Sequence, residues 1–161
     1  MVRDPRERIH PKALTVWRLS GAIAVAALAV LLAAAAFVAE HVLFYQVPLY
    51  LYLPVLFLLI VLGVLFIFAL PSIRWRRWRY EVREKEIEIQ HGIWIIKRTL
   101  IPMARVQHVD TRQGPLLRAF GLASVDISTA AGAHEIPALG LDAADELRNR
   151  IAELAGVADD I

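Results

Sequence analysis

Residues 42–73 form a run of thirty-two residues without a formal charge, closed by Arg74, Trp75, Arg76, Arg77, Trp78 and Arg79. So long an apolar run has no stable place in water. It is long enough to cross a bilayer core, which takes about 20 helical residues. Arginine is costly to move through hydrocarbon, so the four arginines that close the run mark a membrane surface. The residues before them read as an anchor, and those after them read as a small water-facing domain.

A second apolar stretch lies upstream. Residues 19–39 are twenty-one uncharged residues, mostly Ala, Val and Leu. As a helix they span about 31 Å, close to the hydrocarbon thickness. Trp17 and Arg18 stand at its start, where an amphipathic ring and a snorkelling cation belong. The stretch exceeds the 7–15 residues usual for a signal peptide, and a second span follows, so it reads as a retained helix. The segment from Glu40 to Pro48 holds no Lys or Arg, whereas both flanks are Arg-rich. By the positive-inside rule the hairpin faces outward and both termini face the cytoplasm. The second span is placed at residues 48–70, with Tyr45, Tyr50 and Tyr52 as an aromatic belt and Pro71 expected to break the helix. Neither span contains Asp, Glu, Lys, Arg or His, which leaves no visible proton relay or ion site and suits a two-helix anchor.

The net charge of +2 hides a gradient. Residues 1–18 carry five basic and two acidic residues, residues 74–79 four basic and no acidic ones, and residues 80–161 nine basic and thirteen acidic ones. Positive charge therefore sits at the membrane edges. A nucleic-acid-binding domain would carry it on its own surface, so nucleic acid is not the expected partner. Cysteine is absent, which excludes disulfides and thiolate metal sites.

From residue 80 the hydrophobic period changes to two. Tyr80-Glu81-Val82-Arg83 and Glu86-Ile87-Glu88-Ile89-Gln90 alternate apolar with polar residues, as half-buried strands do, with a turn at Glu84-Lys85. His91-Gly92 ends the second strand. Residues 94–101 are expected as a third strand and 105–112 as a fourth. Pro115 opens a short helical turn closed by Gly121. Residues 124–129 read as a strand burying Val125 and Ile127, followed by a turn at 130–133 and a short strand at 134–137. Ala144, Leu147, Ile151 and Leu154 form one stripe of a final helix, with Asp142 expected as N-cap and Gly156 as its end.

Two amino-terminal spans, the Arg/Trp junction, the run Ile101-Pro102-Met103-Ala104-Arg105-Val106-Gln107-His108-Val109 and the run Leu116-Leu117-Arg118-Ala119-Phe120-Gly121-Leu122 together resemble the YdbS-like bacterial pleckstrin-homology (PH) membrane proteins. The resemblance covers nearly the whole chain. It implies an α+β membrane protein, with two transmembrane helices followed by a PH-like antiparallel barrel or sandwich of seven strands and a C-terminal capping helix. It also implies a multi-pass plasma-membrane location, no catalytic activity, and a related membrane protein with several PH domains as natural partner. Eukaryotic PH domains often bind inositol phosphates through basic residues around the first hairpin. Here that hairpin carries Glu84, Glu86 and Glu88, which repel phosphate, so inositide binding is not carried over.

The expected organisation is a cytoplasmic segment at 1–18, a transmembrane hairpin at 19–73, a basic and aromatic junction at 74–79, a PH-like domain at 80–155 and a tail at 156–161. The residues offer no nucleophile elbow, phosphate loop or paired-histidine metal motif, so no enzyme, metal or cofactor is expected. His108 and Asp110 share a strand face, and Glu81, Glu84, Glu86 and Glu88 read as a solvated strand face. Two candidate surfaces stand out. Arg74, Trp75, Arg76, Arg77, Trp78 and Arg79 suit anionic headgroups, with Trp75 and Trp78 three apart on one helical face. Ile93, Trp94, Ile95 and Ile96 are four consecutive apolar residues, too many for a strand with one buried face, and call for a cover by another chain or by the membrane. The expected partners are the lipid bilayer and either a second copy in a homo-oligomer or the related multi-PH protein. The main expectation is a membrane-tethered assembly module; the alternative is a lipid-headgroup sensor or carrier using the junction and a groove of the barrel.

Overall fold

The computed structural model describes residues 5–41 and 48–156. The expected belt residue Tyr45 and most of the inter-helix turn lie outside them, as does the tail beyond Gly156. The chain forms two compact units, residues 17–72 and residues 1–16 with 73–161.

The first unit is a helical hairpin. Helix α1 runs Lys12–His41, and α2 runs Leu49–Gly63. A π-helical segment, Val64–Ala69, leads into α3, Leu70–Arg77. Two stretches, Lys12–His41 and Tyr50–Arg77, are long and apolar enough to cross a membrane, and neither buries any of its apolar window. Their exposed Leu, Val, Ile and Phe side chains suit hydrocarbon. Pro71, expected to break the helix, lies inside α3 instead. The wider winding explains this. The Leu70 N–H reaches back to Leu65 O, and the donor that Pro71 lacks is the one that would have served Phe66 O in the π register. Gly21 of α1 faces that same oxygen. A Cβ on Gly21 would fall 2.5 Å from Phe66 O, so only glycine permits this helix approach. Nearby, Arg18 donates to Ser72 Oγ at 3.4 Å and lies over the Phe68 ring at 5.7 Å.

The second unit holds six strands among the described residues, not the seven the resemblance implies. β1 (Arg79–Val82), β2 (Glu86–His91) and β3 (Lys97–Pro102) make one antiparallel sheet, and β4 (Val106–Arg112), β5 (Leu122–Thr129) and β6 (Gly132–Gly140) make another. Among the described residues the two sheets do not close into a barrel. The helical turn α4 (Pro115–Ala119) precedes β5, and α5 (Leu141–Ala155) packs on β4 and β5 through Ala144, Leu147 and Ile151. Gly156 ends α5 with a left-handed φ of 65°. Asp142 is not the N-cap. That position falls to Gly140, and Asp142 lies in the first turn.

The apolar positions of the strands and the apolar stripe of α5 fill the core: Ile87, Val125, Ile127, Ile136, Ala144 and Ile151 are all fully buried. A segment not expected there joins them. The amide and carbonyl of Glu7 exchange two 3.0 Å hydrogen bonds with those of Tyr80, and the His10 N–H donates to Ala138 O at 3.1 Å. Ile9, Ala13 and Val16 are buried in consequence. The amino-terminal lead-in is thus an added edge of the second unit.

Candidate functional site

Helix α3 carries Arg74 to Arg77 and stops there, which divides the basic and aromatic junction. Arg74 and Arg76 are exposed, and Arg79 begins β1 opposite Gln90. Trp78 does not share an exposed face with Trp75. It is only 4% exposed and stacks on His91, ring centroids 5.8 Å apart and planes 18° apart. The cause is the change from helix to strand after Arg77, which turns Trp78 into the core. Trp75 keeps partial exposure.

The apolar run Ile93–Ile96 is not part of a strand. The expected third strand begins only at Lys97, because Gly92 at φ 139° turns the chain back on itself. A Cβ on Gly92 would lie 1.9 Å from Ile95 O, so the loop closes over glycine alone. The result is a protruding loop, with Trp94 88% exposed and Ile95 83% exposed. Ile96 is exposed as well, whereas Ile93 is half-buried and its carbonyl accepts a hydrogen bond from the Arg77 guanidinium.

Two cavities adjoin this loop and share Arg74, Trp78 and His91. One, of about 460 Å³, is further lined by Lys97, Thr99, His134 and Glu135. The other, of about 470 Å³, is walled by Gly92, Ile93, Trp94 and Ile95. The antiparallel register sets His91 opposite Lys97, and Thr99 follows Lys97 on the same face. Burial, then the charges of Lys97, Arg74 and His134, hold His91 below its ordinary pKa. Neither histidine nor lysine signalled this site in the sequence. The cross-strand register of His91 and Lys97 is the clue that was available.

Glu88 corrects another expectation. It is 5% exposed rather than part of a wet face, because Arg83 at 3.3 Å and Arg98 at 3.2 Å close over it. Arg83 also bonds Glu81 and Glu86 at 3.1 and 2.9 Å. On the other sheet His108 and Asp110 share an exposed face at 3.3 Å. Asp126, raised by burial and lowered by Arg112, pairs with that arginine at 3.2 Å. Among the described residues no three His, Asp or Glu side chains are grouped to hold a metal ion.

The family model for the bacterial PH domain matches residues 14–155. The chain belongs to the bacterial PH domain family. Within it, the chain is similar to the UPF0699 transmembrane protein YdbS of Bacillus subtilis (strain 168), 45% identical over 161 residues, covering 99% of either chain. It is also similar to the UPF0699 transmembrane protein YdbT of the same organism, 34% identical over 96 residues, which cover 58% of this chain and 20% of that one. No solved structure matches. This bacterial PH domain protein is therefore a membrane protein, and the two sheets with their terminal helix are its PH-like sandwich.

Proposed function

We propose that the protein is a non-enzymatic, membrane-tethered module that holds its PH-like unit against the cytoplasmic surface of the plasma membrane and reads the lipid headgroups there. The observation that carries this reading is the loop bearing exposed Trp94 and Ile95, fastened through Ile93 to Arg77 in the last turn of the membrane-continuous helix. Arg77 lies about 10 Å along the helix from Leu70, within reach of the headgroup layer. Exposed tryptophan and isoleucine sharing a cavity with Arg74 suit that layer, where rings settle among headgroups and cations meet anionic lipid. The pairing of Glu7 with Tyr80 supports an even number of crossings, because both ends of the hairpin enter one folded unit. The charge gradient of the sequence favours the cytoplasmic side. The full chain in nanodiscs tests the reading: Trp94 fluorescence should shift to the blue and resist aqueous quenchers. Fluorescence of a fully water-exposed Trp94 would overturn it; the other three tryptophans are replaced by phenylalanine for this measurement.

A second reading is assembly with a second copy or with a related multi-PH membrane protein. The local similarity to YdbT supports it, since 96 matched residues make up only 20% of that longer chain, which leaves room for further PH-like units. Co-purification of the two chains from one membrane tests it.

A further inference from the structure

We propose that the cavity between Arg74, His91, Lys97, Thr99 and His134 binds the phosphate of an anionic phospholipid. The inference rests on the bilayer-surface reading above and names the ligand class that reading leaves open.

Four elements contribute nitrogen-bearing side chains to the lining of one space of about 460 Å³: Arg74 from α3, His91 from the end of β2, Lys97 from the start of β3 and His134 from β6. Its volume falls in the range of ligand pockets. Arg74 and Lys97 bring two fixed positive charges. Glu135, on the same wall, brings one negative charge, which it divides between Arg74 and Arg112. The excess is positive, and it deepens whenever His91 takes a proton. Burial opposes protonation of His91 most, and Lys97, Arg74 and His134 add to that opposition. An anion in the cavity reverses this relation: it gains from each cation and lets His91 charge. Thr99 adds a hydroxyl donor among the lining groups.

The adjoining cavity decides for lipid over a free anion. It opens from the shared residues Arg74, Trp78 and His91 onto Ile93, Trp94 and Ile95. A molecule with a charged head and an apolar remainder matches the pair, whereas inorganic phosphate uses only one of them. The site is not the one eukaryotic PH domains use. Their first hairpin corresponds here to the turn between β1 and β2, at the opposite end of β2 from His91 and crowded by Glu84, Glu86 and Arg83.

The test uses the full chain with its histidines isotope-labelled, in non-ionic micelles, and follows the imidazole titration of His91 by NMR. Short-chain phosphatidic acid should raise the His91 pKa, short-chain phosphatidylcholine should not, and binding should tighten as pH falls. Lys97→Gln should weaken phosphatidic acid at least about fivefold, the worth of one cation near an anionic surface. Lys85→Gln, an exposed lysine away from the cavity, should leave it unchanged. If inorganic phosphate reproduces the effect at equal concentration, the lipid assignment is overturned. If neither anion moves His91, the site itself is overturned. Trp94→Glu separates this from the reading beneath it: loss of bilayer contact with an intact response to soluble phosphatidic acid supports both the bilayer reading and the cavity, whereas intact contact in that variant removes the bilayer reading alone.

Discussion

The Arg77 guanidinium donates a hydrogen bond to the Ile93 carbonyl, joining the last turn of α3 to the loop that lifts Trp94 out of the fold. One side chain thereby couples where the helix ends to where the apolar tip points. Arg77→Ala should free the loop without unfolding the sheets. In nanodiscs its Trp94 emission should return toward that of water. Trp94→Glu should leave the melting temperature within a few degrees of the parent, since an exposed side chain contributes within about 0.5 kcal/mol.

Ile9 is 2% exposed, although it comes before the first span. Ile9→Ala should destabilise the second unit by about 2–5 kcal/mol, the range for truncating a buried isoleucine. Thermal unfolding of the full chain in detergent measures it. An unchanged midpoint would show that residues 5–16 merely lie on the surface.

Gly21 should tolerate no side chain. Gly21→Val places a branched group on the Phe66 carbonyl, a backbone atom that cannot swing aside. A cost of about 1–3 kcal/mol is expected from overpacking. It should appear as a looser helical hairpin, read from cross-linking yield between cysteines introduced on the two helices, with the β sheets unchanged by circular dichroism.

Glu88→Gln removes the carboxylate between Arg83 and Arg98. Both arginines keep part of their surface in water, so they can rehydrate. The cost should be about 1–3 kcal/mol, below the 3–5 kcal/mol of a fully buried pair broken on one side. Added salt should narrow the gap between variant and parent.

His91 gives the unit a pH dependence. Its pKa in the fold lies below the ordinary 6.5, because burial and then Lys97, Arg74 and His134 disfavour the imidazolium. Above both values the imidazole is neutral in either state and contributes nothing. As pH falls through about 6.5 the unfolded chain gains a proton that the folded His91 refuses, so stability drops. The loss stops growing once the folded group protonates too. His91→Phe keeps a ring against Trp78 and removes the titration, so its melting temperature should fall less between about pH 7 and pH 5.

The membrane helices were legible in the sequence because absence of charge over twenty residues has few other physical outcomes. The strands with strict alternation, such as Ser124 to Thr129, were legible for the same kind of reason: only one face of a pleat can be wet. The loop at Ile93–Ile96 was not, because β-branched residues favour a strand locally while the backbone of Gly92 decides otherwise. Ile9 carried no period at all, standing alone among charged neighbours. Alternation alone puts Glu88 on the outer, wet face; the arginines that cover it come from a turn and from β3. The cavity residues lie on four separate elements: the register joins His91 to Lys97, and only tertiary packing adds Arg74 and His134.

The bridge between Glu7 and Tyr80 bears on biogenesis. Glu7 leaves the ribosome long before Tyr80, and its docking strand is made only after both apolar helices. On the proposed two-crossing topology, the clasp closes only when the second helix has returned to the leaflet where the first began. A chain inserted with one crossing would hold Ile9 and its pocket in different compartments, leaving greasy surface open to quality-control proteases. On that proposed topology, correct insertion and completed folding become a single event.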